Sequence, residues 1–142
     1  MLDDELMQMM RRKSIQREAI REYPYADIFG KITIGIGHNL TDNPLPKFMI
    51  DQLFEMDVKE AYNNLVNNYP WFDALDKPRK TIILYMMFAI GLPRFSGFKK
   101  MIKCMEKNDF GGAAREVLNS NYNAQVPNVT KDIANILITG TI

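Results

Sequence analysis

Residues 30 to 40 read GKITIGIGHNL, and their alternation decides how the early part of the chain folds. Ile32, Ile34 and Ile36 alternate with Thr33, Gly35 and Gly37. Successive strand side chains point to opposite faces, so the pattern predicts a strand whose isoleucines bury one side. The other side carries a hydroxyl and then two bare backbone positions. Glycine weakens a strand interior, and two in register point to a group that approaches the backbone closely. A bulged, twisted hairpin strand accounts for the same residues.

Working outward, residues 3 to 23 are helix-compatible until Pro24, which disfavours helix at the residue before it. YPYADIFGKITIGIG then reads as a hairpin with Gly30 at or near its turn. TDNPLP is a loop whose second proline suits the first turn of a helix. From Lys47 to Asn67, Ile50, Leu53, Phe54, Val58, Ala61 and Leu65 recur at helical spacing. Asp57 falls on or beside that stripe, where a buried carboxylate needs a partner. In LDKPRK, Asp76 is an N-cap with Pro78 in the first turn. TIILYMMFAIG is apolar on nearly every side and predicts a core helix ending at Gly91, with Pro93 reinforcing the stop. SGFKKMIKCMEKN, DFGGAAREVLNSN and NVTKDIANILITGT predict three shorter helices, each with a capping residue in front.

The expected fold class is α+β, in one domain over residues 1–142. A small hairpin lobe, about 24–45, is joined by a long helix, about 46–67, to a larger helical lobe, about 68–142, that includes the N-terminal helix. A cleft between two lobes would be the natural ligand site.

Composition narrows the function. With 142 residues, 46% hydrophobic and 25% charged, the chain can bury a core without staples. A formal net charge of +1 encodes no general attraction to nucleic acid or anionic membrane. One cysteine, Cys104, excludes an internal disulfide, and a total of one cysteine and one histidine argues against a structural zinc site. No metal or cofactor is expected. The acidic start MLDDELMQMM lacks the features of a signal peptide, and no run of about 18 apolar residues predicts a membrane span.

Three polar residues bracket the hairpin: Glu18 before it, Asp27 on its first arm and Thr33 on its second. Two carboxylates and a hydroxyl converging on a groove are what glycoside hydrolysis needs. One acid protonates the leaving oxygen while the other carboxylate activates water or attacks the sugar. In a chain with 17 acidic residues, that spacing by itself is also met by a solvated helix residue and a turn residue.

The stretch EAIREYPYADIFGKITIGIGH, residues 18 to 38, resembles the phage-type lysozymes of glycoside hydrolase family 24. The family's catalytic Glu, an Asp nine residues on and a Thr six further match Glu18, Asp27 and Thr33 without a gap, followed by Ile-Gly-Ile-Gly-His. The resemblance continues through GHNLTDN, YPWFDALDKPRKTIILYMMFAIG, RFSGF and NSNYNAQVPNVTKDI to ITGT. It implies a lysozyme-like fold with Glu18 as general acid, Asp27 as the base that assists water, and Thr33 as the residue holding that water. Gly35, Phe88, Ala89 and Glu116 fall at substrate-binding positions, and His38 with Asp57 at a structural ion pair. A histidine so paired holds its proton to higher pH than a free one. The T-even branch inverts configuration, which implies single displacement with carboxyls about 6.5–9.5 Å apart.

The implied activity is that of a muramidase cleaving the β-1,4 bond between N-acetylmuramic acid and N-acetylglucosamine, with bacterial peptidoglycan as partner. The expected protein is a monomer that accumulates in a host cytoplasm and reaches the periplasmic wall after release. A lytic transglycosylase and a non-catalytic peptidoglycan-binding protein are the alternatives. Departures from the family bear on them. Ala89 stands where relatives carry a sugar-binding amide and Glu116 where an Asn is found, and loss of amide donors weakens a site built on polar groups. Arg11, Arg12, Lys13, Arg17 and Arg21 crowd the segment around Glu18, and a cation reaching it would lower the acid's pKa. Met86, Met87 and Tyr122 read as core, Trp71 and Phe72 as a cap on it.

Overall fold

An aspartate opens the first helix. The Asp3 side chain accepts from the Leu6 amide at 2.8 Å, Asp4 and Glu5 follow in the first turn, and α1 runs Asp4–Glu18. Acidic residues at that end complement the exposed amides and the helix dipole. The chain leaves the helix at Ala19, whose φ of 59° is left-handed. The computed structural model describes residues 1–142. They divide into two compact units, Met1–Asp51 and Gln52–Ile142.

In the first unit, three antiparallel strands follow α1 in the order β1 (Arg21–Ala26), β2 (Ile32–Gly35) and β3 (His38–Asn39). Tyr25 pairs with Thr33 and Ala26 with Ile32, but Arg21 pairs with Gly35, so β1 bulges between Arg21 and Tyr25. Pro24, expected to stop a helix, lies inside that bulge. A proline lacks the amide a regular ladder would use, and strands accept it at bulges and edges. The helix itself stops at Glu18, five residues before the expected limit at residue 23.

The predicted hairpin is two hairpins. The first closes at Gly30 (φ 77°), as expected, and Ile36 and Gly37 turn the chain from β2 into β3. The predicted burial is also corrected. Ile32 is 45% exposed, Ile34 and Ile36 are half-buried, and Thr33 is the buried residue at 4%. Its hydroxyl donates to the Lys31 carbonyl at 3.0 Å, so burial leaves no unpaired polar hydrogen.

The boundary between the units falls near the start of α2 (Lys47–Asn68). The expected apolar stripe on this helix is buried only at Ala61 and Leu65, while Ile50, Leu53 and Phe54 are exposed. Asp57 is exposed as well, so it does not need the partner a buried carboxylate would require.

The second unit holds the core. Leu65 and Phe72 pack with Ile83, Met86, Met87 and Phe95 of α3 (Lys77–Ser96), with Met101 and Met105 of α4 (Lys99–Glu106), and with Val117 of α5 (Phe110–Leu118). After the short α6 (Asn121–Gln125), α7 (Pro127–Thr139) adds Ile133 and Leu137. Asp76 caps α3 as predicted, with Pro78 in its first turn. The helical path breaks at Gly91 (φ 79°, ψ 166°) and resumes through Pro93 to Ser96, past the expected end. Asp109 caps α5 through the Gly112 amide at 2.9 Å, but no side chain caps α4 or α7. The short α6 was not predicted. Its five residues end at Gln125, and buried Thr130 of the next helix bonds back to Asn123 and to the Pro127 carbonyl.

Arg79 closes the unit. Its Nε donates to the Leu137 carbonyl at 2.7 Å and Nη2 to Ile138 at 3.1 Å, over the Phe110 ring at 3.9 Å. No single helix is long and apolar enough to cross a membrane.

Candidate active site

Glu18, Asp27 and Thr33 come together in the first unit. They line one recess of about 530 Å³ with Tyr25, Gly37 and Asn39. Each is placed by a different local device. Glu18 is the last residue of α1, so the left-handed turn at Ala19 releases it from the helix. Gly37 backs against it: a Cβ there would lie 3.0 Å from Glu18 Cγ and 3.4 Å from Cδ. Close approach therefore explains this glycine as the alternation predicted. Gly35 is different. Nothing lies within 4 Å of its absent Cβ, and it serves by a φ of 70° at the end of β2. It is not part of the recess wall.

Asp27 ties the tip of the first hairpin. Its Oδ1 accepts from the amides of Phe29 at 2.8 Å and Lys31 at 2.9 Å, an Asx turn that holds the carboxylate in place. Both bonds fall on one oxygen, which leaves Oδ2 open. Thr33 Oγ1 spends its hydrogen on the Lys31 carbonyl, so toward the recess it is an acceptor.

The sequence reading missed one neighbour of Glu18, Tyr25. Tyr25 donates its hydroxyl to Glu18 Oε2 at 3.5 Å, and the Arg21 guanidinium lies 4.6 Å over the Tyr25 ring. Arg21 forms no ion pair with Glu18, so this cation of the crowded segment is engaged by the aromatic face. No signal along the chain marks Tyr25, because its contact with Glu18 depends on how the strand is folded back beside the end of α1.

The loop after β3 ties back to the sheet through Asp42. Lys31 Nζ pairs with Asp42 at 3.1 Å, and the Asn39 amide donates to the same carboxylate at 2.9 Å. These partners, Asn39 first and then Lys31, hold the Asp42 carboxyl below the usual carboxylate range. His38 Nε2 sits 3.0 Å from the Asn43 carbonyl.

The remaining expected residues lie in the second unit. Phe88 meets Phe54 edge-on at 5.8 Å and lines a cavity of about 490 Å³ with Asp57 and Asn64. Ala89 beside it is exposed. Glu116 is half-buried and lines a different cavity, of about 300 Å³, with Phe98 and Lys100. Burial, with the Asp109 and Glu116 carboxylates, pushes the Cys104 thiol up. No group of three or more His, Cys, Asp or Glu gathers to hold a metal ion.

No family model matches the chain. Two curated proteins of Dictyostelium discoideum do. "Probable T4-type lysozyme 2" is 29% identical over 83% of this chain and 86% of its own length. "Probable T4-type lysozyme 1" is 28% identical over the same shares. The chain is similar to T4-type lysozymes over most of its length. Its seven α-helices and small three-stranded antiparallel sheet are the α+β, lysozyme-like fold expected from the residues. Lysozymes are glycoside hydrolases, and the recess of this lysozyme-like protein offers what that chemistry asks of a protein. It has one carboxyl beside a phenol, a second carboxylate with a free oxygen, and a fixed acceptor for water.

Proposed function

We propose that this lysozyme-like protein is a muramidase, hydrolysing the β-1,4 bond between N-acetylmuramic acid and N-acetylglucosamine in bacterial peptidoglycan. The observation that carries the reading is the meeting of Glu18, Asp27 and Thr33 in one recess. Glu18 gives its proton to the glycosidic oxygen as that bond breaks. Asp27 Oδ2 takes a proton from the attacking water, which donates its other hydrogen to Thr33 Oγ1. The water oxygen bonds the anomeric carbon in a single displacement. Tyr25 steadies Glu18 from the side. In the second unit, Phe88, Ala89 and Glu116 are assigned to glycan contact by the same resemblance. Ala89 offers a methyl where an amide would bond the sugar, which predicts weaker glycan binding.

The test is digestion of purified sacculi by wild type, Glu18→Gln and Asp27→Asn, with the fragments weighed by mass spectrometry. Reducing-end fragments from wild type, and at least about 10²-fold less from either variant, support the reading. Fragments ending in 1,6-anhydro sugars assign a transglycosylase instead. Binding without release reduces the protein to a glycan-binding module.

A further inference from the structure

The tip of the first hairpin carries a phenylalanine that no packing explains. Phe29 is 79% exposed, and its ring has no aromatic partner in the fold. Leaving so large an apolar ring in water is unfavourable and needs an account. Looseness of the tip does not supply one. The Phe29 amide donates to Asp27 Oδ1 at 2.8 Å, the Lys31 amide to the same oxygen at 2.9 Å, and the Gly30 amide to the Asp27 carbonyl at 3.0 Å. The ring is therefore mounted on a braced turn, two residues from a carboxylate of the recess, and it lines that recess itself.

We infer that Phe29 is a stacking platform that receives the face of a pyranose ring of the glycan strand beside the scissile bond. The inference rests on the recess being the hydrolytic site. The chemistry follows from the two faces. An aromatic ring presents a negative π face. A pyranose presents a face of C–H groups, weakly positive and apolar, while its hydroxyls point outward to water. Stacking them removes apolar area from water on both sides without stripping polar groups. The bond from the Phe29 amide to the Asp27 carboxylate gives the contact a further consequence. A sugar held on the ring is held in register with the carboxylate that activates water, so binding energy becomes positioning.

The test measures KM and kcat on soluble glycan strands of defined length for wild type, Phe29→Ala, Phe29→Trp and Tyr23→Ala. Tyr23 is as exposed, at 82%, but does not line the recess. Phe29→Ala is expected to raise KM about tenfold with unchanged circular dichroism, and Phe29→Trp to restore it to within about twofold. Tyr23→Ala stays at the wild-type value. An active wild type whose Phe29→Ala keeps both constants overturns the platform and leaves the hydrolase reading intact. Phe29→Ala and Phe29→Trp equally impaired would also overturn it, since that is a turn defect. If wild type releases no product, the hydrolase reading fails separately. Fluorescence-anisotropy binding of the same strands to wild type and Phe29→Ala then decides the platform, with about tenfold weaker binding supporting it and equal binding overturning it.

Discussion

At the scale of single residues, the molecule turns on what stands beside each carboxylate. Gly37 is the sharpest case. Its φ of 71° disfavours any side chain, and its absent Cβ would press on Glu18 at 3.0 Å. Gly37→Ala is expected to cost about 1–2 kcal/mol of stability for the backbone and, by moving Glu18, to lower kcat. Gly35→Ala carries the same kind of backbone cost at φ 70° but presses on nothing. Urea melts of the two variants should therefore shift alike, while sacculus digestion should suffer more in Gly37→Ala. Equal activity loss in both would mean that the position of Glu18 does not depend on Gly37. Glu18, Asp27 and Thr33 could be singled out from the sequence because they fall at fixed spacing in a recognisable stretch. Tyr25 and Phe29 could not, because what marks them is pairing across the sheet and exposure on a turn.

Among the elements, local signals served the helices better than the sheet. Asp76 illustrates why. Its Oδ2 accepts from the Arg79 amide at 3.3 Å and its Oδ1 from the Arg79 guanidinium at 3.2 Å, all within one helical turn. Burial pushes this carboxyl up, but the backbone and side-chain bonds from Arg79 outweigh it and hold it below its ordinary 3.8. A carboxyl depressed in the fold stabilises above its unfolded value, and that stability is lost as pH falls through the folded one. Asp76→Ala is thus expected to lose about 1 kcal/mol near neutral pH. The deficit should shrink as wild type is titrated below about pH 4, read from denaturant midpoints. A deficit unchanged down to low pH would exclude the ionised cap. The strands behaved otherwise: Pro24 was read as a boundary and sits in a bulge, and one predicted hairpin became two, because register depends on a partner strand.

Across the whole molecule, charge is the property that reaches furthest. A net +1 gives little long-range attraction to an anionic wall. Raising salt from about 0.01 M to about 0.1 M shortens the screening length from about 30 Å to about 10 Å. Adsorption of Glu18→Gln to sacculi is expected to change by less than about twofold over that range, measured by co-sedimentation. A steep loss would show that local charge, not the net value, governs binding. Stability is concentrated in the second unit, where the fully buried side chains Phe72, Met86, Phe95, Met101 and Leu137 lie.

The sequence alone determined what acts over a few residues. Those features are the capped starts of α3 and α5, the span of α2, the turn at Gly30 and the placing of helices after a small sheet. Caps and turns are satisfied by neighbours along the chain, so their signals are written next to the structures they make. Only the tertiary structure decided which residues are covered. Thr33 is buried where Ile32 was expected, Asp57 and the front of the α2 stripe stand in water, and Tyr25 reaches Glu18 across a bulge. Burial and register depend on what arrives from elsewhere in the chain, and periodicity gives a face without saying what, if anything, will cover it.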